Sequence, residues 1–85
     1  REAIERFLGH RAGGTENLRS DGGRLWSGGR LLAWWDGRTV CVREYWQETM
    51  PYRIHRLILR LLAEGVVTVE VVTDDSARGI VADAR

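Results

Sequence analysis

Residues 30–45, RLLAWW-DG-RTVCVREY, decide the fold. Two runs rich in aromatic and β-branched residues flank Asp36-Gly37. Such a pair between such runs predicts a hairpin with a two-residue type I′ turn, whose left-handed residues match strand twist. With Asp36 and Gly37 as the loop, Trp35 pairs with Arg38, Trp34 with Thr39, Leu32 with Cys41 and Arg30 with Arg43. Alternation then places Leu31, Ala33, Trp35, Val40 and Val42 on one face. The opposite face receives Arg30, Leu32, Trp34, Thr39, Cys41 and Arg43.

Working outward, residues 49–64 (TMPYRIHRLILRLLAE) read as the main helix. Thr49 caps it and Pro51 occupies the first turn, where a missing N–H costs little. Ile54, Leu57, Ile58, Leu61 and Leu62 follow i, i+3, i+4, i+7, i+8, the spacing of a stripe that belongs against a sheet. Gly65 stops the helix. Residues 66–73 (VVTVEVVT) read as a strand, and 74–85 as a turn at Asp74-Asp75-Ser76 followed by a short edge strand or a frayed tail. Upstream, NLRS-DGG-RLWS is a short hairpin, with a break or bulge at Gly28-Gly29, so that 17–45 forms a β-meander. Residues 2–8 form a short helix and 9–16 a glycine-rich connector. The expectation is one α+β domain over 1–85. It has an antiparallel sheet of about four meander strands plus a C-terminal strand, one long amphipathic helix on one face, and a short N-terminal helix.

Eighty-five residues make one domain with a small core. All thirteen basic side chains are arginine, the cation that grips carboxylate or phosphate with a planar fork and stacks on aromatic rings. The missing lysine itself is best credited to the codon bias of a GC-rich genome. The formal net charge is +1, so phosphate binding would need an uneven distribution of charge. Cys41 is the only cysteine, which excludes an intrachain disulfide and, with two histidines, counts against structural zinc. No apolar run approaches the ~20 residues of a membrane span. The start, REAIERFLGH, lacks the apolar stretch of a signal peptide. Arg1 in place of an initiator Met is read as a sign of residues ahead of it.

Two surfaces are candidate binding sites. On the open sheet face, Arg30 and Arg43 lie opposite each other beside Trp34. Like charges so placed call for a bridging anion, as where a single-strand binder holds phosphate and stacks a base. The plainer alternative is that Glu44, Glu70 or Asp36 neutralises them and Trp34 packs under a loop. On the helix, Arg53, Arg56 and Arg60 line one flank, and Tyr52 and Leu59 lie away from the apolar stripe, as an exposed protein-binding anchor. Trp26 and Trp46 are further exposed aromatics. His55 reads as a border residue of the core and Cys41 as a packing residue; His10 sits among glycines. No catalytic constellation, phosphate loop or calcium loop appears, so no enzyme, cofactor or metal is expected. The function expected is a small interaction domain that binds a protein partner or self-associates. A nucleic-acid-binding module is the alternative, to be set aside if carboxylates of Glu44, Glu48, Glu64 and Glu70 interleave with the arginines.

Leu18, Asp21, Gly22, Leu25, Ser27, Tyr45, Thr49 and His55 follow an order of short strand, Ser-Asp-Gly, Leu-Trp-Ser, aromatic strand ends and a Thr-Met opening to the helix. This order resembles small uncharacterised proteins of phages, archaeal viruses and plasmids over about half the chain, departing from them at Met50-Pro51. The resemblance implies a mobile-element accessory or inhibitor protein working in a prokaryotic cytoplasm, and it implies no site residues.

Overall fold

The computed structural model describes residues 1–44 and 47–73. In chain order the elements are α1 (Glu2–Leu8), β1 (Ala12–Thr15), β2 (Leu18–Asp21), β3 (Arg24–Ser27), β4 (Arg30–Asp36), β5 (Thr39–Glu44), α2 (Met50–Ala63) and β6 (Thr68–Thr73). The strands form one six-stranded sheet in sequence order. β1 to β5 pair antiparallel through tight turns. β6 runs parallel to β5, because α2 returns the chain to the end from which β5 started. Both helices contribute to a single core cluster, Ala3, Ile4 and Phe7 from α1 and Tyr52 and Leu59 from α2, against Leu25, Leu32, Ala33, Val40 and Val42. They therefore cover the same face of the sheet. The fold is the α+β class expected, with a mixed sheet and one more strand. Tyr45, Trp46 and the tail 74–85 lie outside the described residues.

The extra strand is β1, which the glycines of the connector conceal. A Cβ on Gly14 would collide with the Leu18 carbonyl and the Ala3 methyl, so this strand lets α1 lie close to the sheet. The glycines here serve packing rather than a loose link.

The hairpin at 30–45 differs from the expected register. Asp36 pairs with Thr39, Trp35 with Val40, Trp34 with Cys41 and Ala33 with Val42. The loop is Gly37-Arg38. Gly37 takes the left-handed first position, φ 62°, and Asp36 stays in the strand. A slip of two residues in pairing preserves which face each side chain occupies. A β-bulge between β3 and β4 does not. Leu25 pairs with Ala33 and Trp26 with Leu31, leaving Leu32 as the extra residue. Leu32 thus turns into the core while Leu31 joins Trp26 on the other face, the reverse of the expectation. Gly28-Gly29, read as a break or bulge, is the turn joining β3 to β4.

α2 begins and ends as its sequence predicts. The Thr49 hydroxyl accepts the Tyr52 N–H at 3.3 Å, Pro51 sits in the first turn, and the helix stops before Gly65. Its rotation about its own axis does not follow. Tyr52 and Leu59, expected to be exposed, retain 1% and 0% of their surface. With Arg56 and Ala63 they form the buried face. At 100° per residue the centre of this face lies roughly 160° from that of the expected one.

Candidate functional site

That rotation leaves an apolar row of α2 in water. Met50, Ile54, Leu57 and Leu61 are 64%, 47%, 50% and 72% exposed. They recur at intervals of 4, 3 and 4 residues, the a/d spacing of a helix–helix seam. Val66, just past the helix, is also open to solvent. Beside the seam, between the C-terminal half of α2 and β6, runs an open groove of about 480 Å³ lined by Leu57, Arg60, Leu61, Glu64, Val67 and Val69. Of the five residues that periodicity assigns to the core, Ile58 and Leu62 pack against it half-buried, while Ile54, Leu57 and Leu61 stay exposed. The row that the fold buries instead is Tyr52, Arg56, Leu59 and Ala63.

Fixed polar contacts explain the rotation. The Tyr52 hydroxyl lies 3.0 Å from the Leu31 carbonyl and 2.9 Å from that of Arg43, so its proton is shared between two acceptors at the sheet surface. Arg56 donates to Glu44 at 3.0 Å and to Glu48 at 2.6 Å, and Arg53 donates to Glu48 at 3.2 Å. Burial alone would raise the Glu48 carboxyl. Hydrogen bonds from Arg56 and Arg53, with their charges, outweigh that and hold it below its usual value. His55, half-buried on the same helix, has Nδ1 2.7 Å from the Ser27 hydroxyl, and burial lowers its pKa. These contacts anchor the helix by a face that periodicity alone would not choose.

The row expected on the helix is therefore divided. Arg56 is buried between two carboxylates, Arg53 is exposed and paired, and Arg60 stands exposed at the groove with Glu64 one turn on. Interleaving by Glu44 and Glu48 is the pattern that counts against a phosphate-binding helix face.

The sheet constellation is not assembled as expected. Arg30 pairs with Ser27 on β3, and the two-residue shift of the β4–β5 register takes it away from Arg43. Arg43 is 4% exposed and donates to the Leu31 carbonyl at 3.4 Å, where it cannot meet a phosphate. Trp34 keeps a half-open position, with Arg24 as its cross-strand neighbour on β3. A second pair of the same kind, Arg19 with Trp26, lies on β2 and β3. Both pairs lie on the face away from the helices. Their register follows from the two-residue Gly22-Gly23 loop. Asp21 fixes that loop, accepting the N–H groups of Gly23 at 3.0 Å and Arg24 at 2.7 Å. The Asp21 carboxyl is lowered although burial opposes it, since these bonds favour its charged form. Trp26 Nε1 is buried without an acceptor at bonding geometry. Cys41 is buried, and burial followed by the charges of Glu70 and Asp36 pushes its thiol up, away from the reactive thiolate. His10 stacks on Trp35 at 4.1 Å between ring centroids.

Among the described residues, no group of three or more His, Cys, Asp or Glu side chains is placed to hold a metal ion, and no helix is long and apolar enough to cross a membrane. The Asp74-Asp75 pair lies outside the described residues. No protein family, curated protein or solved structure matches this chain.

Proposed function

We propose that this chain is a small non-enzymatic interaction domain that binds a protein partner, another copy of itself included, through the outer face of α2 and the groove beside it. One observation carries the reading. α2 buries a tyrosine and an ion-paired arginine against the sheet and leaves Met50, Ile54, Leu57 and Leu61 in water. With Val66 these residues expose on the order of 500 Å² of apolar surface, at the upper end of the largest patch on a typical monomer. Burying such a stripe is favourable by about 25 cal/mol per Å², so its exposure fits a surface that is covered in the working state. The resemblance to mobile-element proteins adds a setting: an accessory or inhibitor protein in a prokaryotic cytoplasm.

The test is capture with a paired control. Tagged wild type and a Leu57→Glu/Leu61→Glu double variant are compared for proteins retained and for self-association. The expected result is an association made by the wild type and lost in a variant whose circular dichroism is unchanged. A wild type that neither self-associates nor retains any protein in a variant-sensitive way sinks the reading.

Nucleic acid is the second reading, and the sheet supports it better than the helix does. Arg19 with Trp26 and Arg24 with Trp34 set two arginine–tryptophan pairs on one face, the pairing that single-strand binders use. Asp21 beside Arg24 works against it. Oligonucleotide titration at low salt decides: binding that Arg24→Ala and Trp34→Ala weaken favours this reading, and no detectable binding removes it.

A further inference from the structure

The seam runs the length of α2 and the groove flanks only its C-terminal half, and this arrangement selects a partner. We propose that the occupant is a second copy of this chain, docked about a two-fold axis with its α2 antiparallel to the first. The proposal rests on the interaction reading above and narrows it to one partner.

Three observations point to a copy rather than to a foreign protein. The first is shape. Met50 and Ile54 project from the N-terminal half of α2, whereas Leu57 and Leu61 border the groove at its C-terminal half. Exposed side chains along the whole seam, with a groove beside its C-terminal half only, suit a self-complementary patch, since under a two-fold axis each end meets the opposite end of its twin. In the antiparallel register Leu57 of one copy faces Ile54 of the other, and Leu61 faces Met50 across the groove. The four positions span roughly 16 Å of helix at 1.5 Å per residue, about three turns of seam on each side.

The second is charge. A strongly charged partner would need uncompensated charge along the seam. Arg53 and Arg56 are already paired with Glu48 and Glu44. That leaves Arg60 and Glu64, one of each sign, at the rim of the groove. The whole chain carries a formal net charge of only +1, so two copies approach without appreciable repulsion. The third is area. Two stripes of this size bury on the order of 1,000 Å² together, the lower limit of a specific interface.

Sedimentation equilibrium on the full chain, from about 1 μM to about 1 mM, is the first test. The expected result is a monomer–dimer equilibrium whose dissociation constant rises at least tenfold in Leu57→Glu and in Leu61→Glu. Leu59→Met, on the opposite face, is expected to leave it unchanged. Geometry is tested in a Cys41→Ser background by mixing an Ile54→Cys chain with a Leu57→Cys chain. The antiparallel seam predicts the mixed disulfide in excess over either self-linked product. A dimer that Leu57→Glu and Leu61→Glu do not weaken overturns this surface, and predominant self-linked products overturn the antiparallel arrangement. A wild type that stays monomeric to about 1 mM overturns the second copy. If that monomer still captures a foreign protein through Leu57 and Leu61, the interaction reading survives; if it captures none, both fail.

Discussion

Arg56 and Glu48 meet at 2.6 Å with their side chains almost wholly out of water, 10% and 6% exposed. A buried ion pair of this kind is weak support for stability when intact and costly when half of it is removed. Arg56→Ala leaves Glu48 buried with only Arg53 beside it. The expected loss is about 3 kcal/mol in urea denaturation, at the low end for such pairs because Arg53 remains. Arg56→Met in a Glu48→Gln background is expected to recover most of it. The same pair sets an acid limit. Glu48 has a folded pKa below its ordinary 4.5, so its contribution is full above pH 4.5 and is lost as pH falls through the folded value. Thermal midpoints between pH 7 and pH 3 are expected to fall less steeply in Glu48→Gln than in wild type. His55 acts in the same direction at higher pH. Burial holds it neutral, so the stability it contributes is present above 6.5 and declines below that. Tyr52→Phe removes the proton shared between two buried carbonyls and is expected to cost about 1–2 kcal/mol.

The elements themselves were largely legible in the sequence, and the reasons are local. Thr49, Pro51 and Gly65 bound α2; Gly22-Gly23 and the Asp36-Gly37-Arg38 corner mark hairpins. Each is backbone chemistry contained within a few residues. What was not legible depends on contacts distant in sequence. Two apolar stripes share α2, and periodicity favours the stronger. The one chosen by the fold is fixed by Glu44, by Glu48 and by the carbonyls of Leu31 and Arg43, which no helical pattern contains. The bulge at Leu32 is equally invisible, since its cause is pairing with β3. The Arg30–Arg43 pair is lost for a different reason, the two-residue shift in β4–β5 pairing set by the Gly37-Arg38 loop. The rotation of α2 yields a sharp reversal. Leu59→Ala is expected to cost 2–5 kcal/mol as a core cavity, and Leu57→Ala under 1 kcal/mol when measured in dilute solution. The sequence pattern on its own ranks these two in the opposite order, so denaturation of both variants tests the orientation of the helix directly.

At the scale of the molecule, thirteen arginines suggested a cationic binder, yet with twelve carboxylates they make a surface close to neutral. Arg56 and Arg53 spend their charge on Glu44 and Glu48, and Arg43 is buried. Among the described residues, the apolar seam of α2 is left with four large side chains that association would take out of water. The two functional readings then differ in how they respond to salt. Phosphate contacts release counterions, and a protein making several of them loses orders of magnitude in affinity between 50 and 200 mM salt. Burial of Met50, Ile54, Leu57 and Leu61 releases no counterions and is strengthened slightly by salts excluded from protein surfaces. The self-association constant is therefore expected to change less than about threefold over that range and to tighten in sulfate. Sedimentation in sodium chloride and in sodium sulfate measures both. A constant that weakens tenfold or more in sodium chloride would assign the interface to charged groups, Arg60 and Glu64 first among them, and move the seam to a supporting role.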